Sequence, residues 1–362
     1  MKYLFFTNTP AHVHLYKHTI DQLQAQGHDV LVLGREYGCT EALLEYHDLP
    51  YEIYGKCDTT KFSLFRELPT QYLNIFRITR RYDPDWVFGV GAYAAHAGAI
   101  TGTPVTLVLD TEPTSIDHSI SRPFVNTFLT PDAFQKDLGK NHYRFKGFKE
   151  SAYLHPDVFE PTCDVREKLG IEQDEPYVIV RLNAFGSHHD VGKSGFTDDQ
   201  RRRLLETLST YATVFVSDEG GTFDFDDIDA DPFDLHPARI HDALAEANLL
   251  VADTQTMVTE AALLGTPAIR SNSFVGESDM GNFVELEAND LICNCVEFEH
   301  VLDRARELLG RESIEEEWTQ RRDEYVEATE MVDLTELLTE LALTAARHEP
   351  AGSQVEEREV FA

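Results

Sequence analysis

Apolar runs and helical stripes alternate along this chain in the rhythm of βαβ units. The clearest case lies between residues 249 and 270, reading LLVADTQTMVTEAALLGTPAIR. Leu249, Leu250, Val251 and Ala252 form a continuous apolar run, as expected of a parallel strand covered on both faces. Asp253, Thr254, Gln255 and Thr256 make a short polar turn. A helix is predicted from Met257, with Val258, Ala261, Ala262 and Leu264 as its packing residues. It stops at Gly265, and a second strand runs from Pro267 to Arg270.

The same pattern recurs on both sides. Tyr3 to Phe6 is a strand, Val13, Tyr16, Ile20 and Leu23 mark a helix ending at Gly27, and Asp29 to Leu33 is the next strand. Helical signals follow at Thr40 to Tyr46 and from Lys61 to Arg81, where Pro69 predicts a break or kink. Trp86 to Val90 and Thr103 to Leu109 read as strands. From Lys146 the texture becomes polar and Pro-punctuated, which places a linker at 153–174 between a domain at 1–152 and another at 175–348. In the second domain Tyr177 to Leu182 and Val214 to Val216 are strands. Helical patterns fall at Arg201 to Leu208, His241 to Ala247, Met280 to Leu286 and Phe298 to Leu309. One acidic helical stretch is expected from Ile314 to Ala346, and 349–362 reads as a tail. The fold class is α/β, with two Rossmann-like parallel sheets.

Ligands of such sheets sit beyond the carboxyl ends of the strands, so chemistry-bearing residues there are site candidates. At the 253–256 turn the helix N-terminus offers N–H groups and a partial positive charge suited to a phosphate. Glu260, one turn in, could accept from ribose hydroxyls, while Asp253 or Thr254 could equally be a helix cap. His12 lies where the first loop meets its helix, as a local cap or a ligand contact. Asp110 and Glu112 follow a strand end, for acid/base work or capping. His188 and His189 sit in the loop after the 177–182 strand, one of them suited to a base or phosphate donor. No third ligand accompanies them, so no metal is expected.

Composition changes the picture in one respect. Asp and Glu number 64 against 31 Lys and Arg, a formal net charge of −33 spread over the whole chain. Such a surface suits solubility in concentrated salt, and points to a halophilic archaeal source. It repels nucleic acid, which is excluded as a partner. In molar salt, screening within a few ångströms still lets an anionic ligand approach. There is no 18-residue apolar run for a transmembrane segment and no basic apolar leader, so a cytoplasmic protein is expected. The five cysteines are odd in number and scattered, as in a reducing compartment.

Asp253-Thr-Gln-Thr-Met-Val-Thr-Glu260-Ala with Gly265-Thr-Pro267 resembles the Asp-Ser-Gly-Gly-x-x-x-Glu-Ala…Gly-x-Pro segment of the non-hydrolysing UDP-N-acetylglucosamine 2-epimerases, within the glycosyltransferase B architecture. Pro10-Ala-His12-Val-His, Asp110-Thr-Glu112, Gly147-Phe-Lys-Glu-Ser-Ala-Tyr-Leu-His-Pro156 and Ser187-His-His-Asp190 are similar to the prokaryotic family numbered 354 among the domains of unknown function. The resemblance implies two Rossmann-like domains facing a central cleft, a nucleotide-sugar substrate, and no separate cofactor or metal. It implies that Thr254, Gln255 and Thr256 bind the diphosphate, Glu260 the ribose, and Arg270 the sugar or phosphate. Arg181 and Asn183 fall near the epimerases' His-Arg-Arg-Glu-Asn segment, whose His is not in register; His188 or His189 would replace it. Glu112 falls near an epimerase Glu, and His12 where glycosyltransferases carry Gly-Gly-His. The epimerase Gly-Gly is here Gln255-Thr256.

The leading expectation is a metal-independent glycosyltransferase of surface polysaccharide or glycan synthesis. It would take a nucleotide-sugar donor and a sugar or lipid-linked glycan acceptor, with Glu112 or His12 as general base. A 2-epimerase-like enzyme and a non-catalytic nucleotide-sugar-binding protein are the alternatives.

Overall fold

Apolar runs flanked by amphipathic helices leave a strand no exposed face, and every ladder among the described residues is parallel. The computed structural model describes residues 1–57, 61–183, 195–221, 223–276 and 279–346. These fall into two units, Met1–Val158 together with the chain from Thr329 onward, and Phe159–Ala328.

The first unit carries β1 (Lys2–Thr7), β2 (Asp29–Glu36), β3 (Tyr51–Lys56), β4 (Trp86–Gly89), β5 (Val105–Val108), β6 (Thr127–Pro131) and β7 (His142–Phe145). Their order is β3-β2-β1-β4-β5-β6-β7. The order reverses between β1 and β4, where Tyr3 pairs with Trp86 and Phe5 with Phe88. The core is built from Leu4, Phe6, Val87, Leu107 and Phe128 on the strands and Ile75, Ala94 and Ala97 on the helices. The helix Lys61–Tyr82 continues through Pro69 instead of ending there.

The second unit repeats the plan with β8 (Tyr177–Leu182), β9 (Thr213–Asp218), β10 (Asp231–Pro232), β11 (Leu249–Ala252), β12 (Ala268–Arg270) and β13 (Cys293–Asn294). The order β10-β9-β8-β11-β12-β13 reverses between β8 and β11. Val178, Val180, Val251 and Ile269 pack there with Leu204, Val301 and the fully buried Trp318. Both sheets thus have the doubly wound order of Rossmann folds. Among the described residues no helix is long and apolar enough to cross a membrane.

Two expected boundaries move. The helical stretch after Ile314 is two helices, Ile314–Thr329 and Leu334–Ala346, separated at Glu330, which takes φ 52°. The second belongs to the first unit, not to the second as the 175–348 boundary implied. Its Ala342 carbonyl accepts from Tyr3 Oη (2.8 Å), and Thr335 Oγ1 donates to the Ala152 carbonyl (2.6 Å). The stretch from Lys146 to His155 is likewise packed inside that unit: residues 147–155 are buried, and Ser151 Oγ donates to the Val332 carbonyl. Gly147 makes this possible. Its φ is +106°, and a Cβ there would lie 2.5 Å from Met331 Cγ, so only glycine lets the returning chain pass so closely.

Candidate functional site

At the reversal point of the second sheet, the ends of β8, β11 and β12 lie side by side, with Ala252 in register with Arg181 on one flank and Arg270 on the other. Asp253, fully buried, follows β11. Its Oδ1 accepts from the Asn183 amide (2.7 Å) and its Oδ2 from the Phe196 amide (3.2 Å). It therefore ties down both ends of the loop after β8 and is not the helix cap. Burial pushes its carboxyl up to about 6, against the pull of those amides and of Arg201 and Arg181. Asn272 Nδ2 donates to the Asp253 carbonyl (3.1 Å), bringing the loop after β12 to the same place.

The helix Thr256–Leu264 starts beside this anchor. Its N-cap is Gln255, whose side chain makes no capping hydrogen bond among the described residues. Within the first turn the Val258 amide donates back to the Gln255 carbonyl (3.0 Å), and the first N–H groups of a helix otherwise have no partner within it. Thr254, only 9% exposed, places a buried Oγ1 here that has no hydrogen-bond partner among the described residues. The helix ends as predicted, at Gly265 in the left-handed conformation.

The remaining candidates sort differently. Glu260, nearly fully buried, faces the helix Ile240–Ala245, where His241 Nε2 lies 3.0 Å from its Oε1. Arg181 is a quarter exposed; its Nη1 donates to Ser217 Oγ (2.8 Å) and its Nη2 lies 3.5 Å from Glu219. Arg270, expected at the sugar or phosphate, is engaged within the protein. Its exposure is 0%, its two terminal nitrogens donate to the two oxygens of Asp279 (2.7 and 2.9 Å), and it stacks 3.6 Å over the Phe283 ring. The guanidinium thus ties the end of β12 to Asp279 and Phe283. His188 and His189 lie outside the described residues.

The first unit has its own cluster at the corresponding strand ends. His12, in the first turn of the helix Pro10–Ala25, accepts at Nδ1 from the Asn8 amide (3.2 Å). Asn8 in turn accepts from Tyr54 Oη at its carboxamide (2.9 Å) and from Arg35 Nε at its carbonyl (3.1 Å). After β5, Asp110 Oδ2 accepts from Lys149 Nζ (2.6 Å) and Oδ1 from the Thr111 hydroxyl (3.0 Å). Lys149 also lies 3.8 Å from Glu150, and both are buried. Burial alone would raise the Asp110 carboxyl; the Lys149 charge and hydrogen bond, the Thr111 hydroxyl and nearby His12 outweigh it and hold it below the ordinary range. Glu112 accepts at Oε1 from the Gln135 amide (3.1 Å), and its carbonyl accepts from Lys136 Nζ.

Sequence reasoning thus reached Asp253, Thr254, Gln255, Thr256 and His12 at two strand-end clusters. It missed Lys149 and Glu150, taking their polar segment for the approach to a linker, and it missed His241. The available signal was that Lys149-Glu150 sits between Phe148 and Ala152-Tyr153-Leu154, and charges inside an apolar stretch are buried in pairs. Among the described residues, no group of three or more His, Cys, Asp or Glu is placed to hold a metal.

The chain belongs to the family described as protein of unknown function DUF354, whose model matches residues 2–335. An uncharacterised protein of Methanocaldococcus jannaschii, MJ0665, is 21% identical over 277 residues, covering 73% of this chain and 79% of its own. Among solved structures, the S. aureus MnaA–UDP complex matches with a TM-score of 0.68 at 10% identity, covering 96% of this chain and 98% of that one. The spinosyn forosaminyltransferase SpnP matches at 0.66 and 12%, covering 96% and 99%. The UDP-GlcNAc 2-epimerase of Neisseria meningitidis, bound to UDP-GlcNAc, matches at 0.63 and 11%, covering 96% and 100%. The fold is that of the glycosyltransferase B enzymes and the 2-epimerases.

Proposed function

We propose that this protein is a metal-independent glycosyltransferase that takes its sugar from a nucleotide-sugar donor held at the carboxyl ends of β8 and β11. The reading rests on one observation above all. The helix Thr256–Leu264 begins with no capping bond from its N-cap side chain, beside a buried Thr254 hydroxyl that has no partner, among the described residues. The diphosphate would take the N–H groups of that helix end and the Thr254 hydroxyl, and Glu260, steadied by His241, would accept from the ribose. As the sugar–phosphate bond breaks, charge grows on the departing diphosphate. Fixed dipoles aimed at that charge lower the barrier without a metal or other cofactor. The acceptor, a sugar or lipid-linked glycan, is assigned to the first unit. The setting we assign is surface-polysaccharide or glycan synthesis in the cytoplasm of a halophilic archaeon, given the charge of −33.

The test is calorimetric titration of UDP, GDP, dTDP and their sugar conjugates in molar KCl, repeated with Thr254→Val. One nucleotide should bind, and the variant should weaken it about 10- to 100-fold, the value of a hydrogen bond to a charged group. Binding by none of them refutes the donor site. A 2-epimerase-like activity is the second reading, supported by the likeness to the Neisseria enzyme. Nucleoside diphosphate released only with acceptor present identifies transfer; interconversion of the sugar without acceptor identifies epimerisation. Donor binding with neither leaves the non-catalytic alternative.

A further inference from the structure

We propose that one face of the first unit, the outer side of the helices Lys61–Tyr82, Ala92–Thr101 and Ser115–Ser121, docks on an anionic lipid bilayer. The inference goes beyond the transferase reading and does not depend on it.

The acidic excess, read from the sequence as spread over the whole chain, is divided unequally. Residues 1–158 hold 18 Asp and Glu against 15 Lys and Arg, residues 159–328 hold 38 against 14, and residues 329–362 hold 8 against 2. The three helices, from Glu67 onward, and the turn Arg122–Phe124 that follows them carry two acidic residues, Glu67 and Asp117. Asp117 is turned inward, its Oδ1 accepting from the Ala92 amide (3.1 Å). Arg77, Arg80, Arg81 and Arg122 are all exposed. Arg81 pairs with Glu52, and the other three form no ion pair among the described residues. In a protein of charge −33, this layer is locally basic.

Apolar side chains stand among these cations. Ile116 is 81% exposed, Leu73 66%, Ile120 46% and Phe124 43%. They make up half of the eight large exposed apolar side chains among the described residues. Single ones are ordinary on a surface, whereas a cluster marks an interaction site. Ile116, Ile120 and Phe124 recur at spacings of four, so they line one side of their helix and of the turn that continues it. His96 joins that side to the long helix. Its Nδ1 lies 2.8 Å from Tyr72 Oη, its Nε2 lies 3.2 Å from the Ile120 carbonyl oxygen, and its ring centre lies 5.5 Å from that of Phe124.

An anionic bilayer answers both halves of this chemistry. Apolar tips enter the boundary between headgroups and acyl chains, while arginines beside them take the lipid phosphates. The total charge does not forbid the approach, because fixed charges are felt only within about 10 Å at 0.1 M salt and about 3 Å at 1 M. What the lipid meets is therefore the face laid against it. A second copy of the chain fits less well. A two-fold contact is made by the same patch on both copies, so the arginines of one would face those of the other. A nucleic-acid backbone would use the arginines and leave the isoleucines in water.

The test is flotation of the full chain with two kinds of vesicle, phosphatidylcholine alone and phosphatidylcholine with phosphatidylglycerol in equal parts. It is run in molar KCl and at the lowest KCl at which circular dichroism reports the folded protein. The wild type should float with the mixed vesicles in both, and its preference for them over the neutral ones should be larger at the lower salt. There Arg77→Gln, Arg80→Gln and Arg122→Gln should each weaken binding about fivefold. Ile116→Ser with Ile120→Ser should weaken it at least about tenfold in both salts. Val284→Ser with Val296→Ser, equally exposed changes in the second unit, should leave it within about twofold. All of these side chains lie at the surface, and circular dichroism confirms that each variant is folded. A wild type that floats with neither vesicle overturns the proposal, as does undiminished binding by the folded isoleucine variant or an equal loss in the valine variant. Self-association of the wild type that the isoleucine variant abolishes, without vesicle binding, overturns it too and gives the face to a second copy.

Discussion

Arg270, which the sequence assigns to the sugar or phosphate, is engaged in the structure by Asp279, and this pair offers a sharp test. Asp279→Ala would remove both oxygens that the guanidinium binds, at 2.7 and 2.9 Å, and leave a cation with 0% exposure. Stranding one partner of a buried ion pair costs about 3–5 kcal/mol. Asn294 Oδ1, 3.1 Å from Nη1, and the Phe283 ring at 3.6 Å remain, which argues for the lower end. About 3 kcal/mol is a roughly 150-fold shift in the folding equilibrium. Salt does little to change this, since buried pairs are screened far less than surface ones. The two tryptophans fall one in each unit, Trp86 in the first and Trp318 in the second. With Trp86→Phe as background, Trp318 fluorescence in urea and molar KCl reports on the second unit by itself. At a slope of about 2 kcal/mol per molar, the midpoint should fall by about 1.5 M. The double change Arg270→Met with Asp279→Leu should recover most of the loss, because apolar replacement of a buried pair is often neutral. A midpoint within about 0.3 M of the parent, together with loss of nucleotide binding, would refute the structural role and return Arg270 to the ligand site.

Two further outcomes follow from the same geometry. Asp253 is raised from 3.8 to about 6 by burial, so the fold binds its proton more tightly than the unfolded chain does. Its favourable contribution is complete below about pH 4 and is lost as pH rises to about 6, worth about 3 kcal/mol. The difference in stability between wild type and Asp253→Asn should change by that amount across the window, and a constant difference would contradict the assignment. Gly147→Ala puts a Cβ 2.5 Å from Met331 Cγ at φ +106°, and should destabilise the first unit by about 1–3 kcal/mol. Trp86 should report this while Trp318 stays unchanged, and Met331→Ala should relieve the steric part; equal effects on both tryptophans would show that the damage is not local.

What was legible in the sequence follows from the range of the interactions concerned. A parallel strand buried on both faces writes itself as an apolar run, and β8 came out at its observed bounds, Tyr177–Leu182. Helix stops at Gly27 and Gly265 are local as well, since each needs a positive φ. The misread positions depend on partners far along the chain. Ser151 and Thr335 hold segments more than 180 residues apart, and polar residues that meet their partners only there look solvated when read in order. That is why the stretch from Lys146 read as the approach to a linker. Lys149 and Asp110 are 39 residues apart and Asp253 and Asn183 are 70 apart, so an isolated Asp after a strand cannot show whether it caps a helix, binds a ligand or ties a loop. For Asp253 the fold chooses the last, and that choice bears on function. With Asp253 committed to two backbone amides, it is not spent on the N-terminus of the next helix. Among the described residues that end has no capping bond from its N-cap side chain and lies next to a buried hydroxyl lacking a partner. Buried polar groups left so are uncommon in folded proteins.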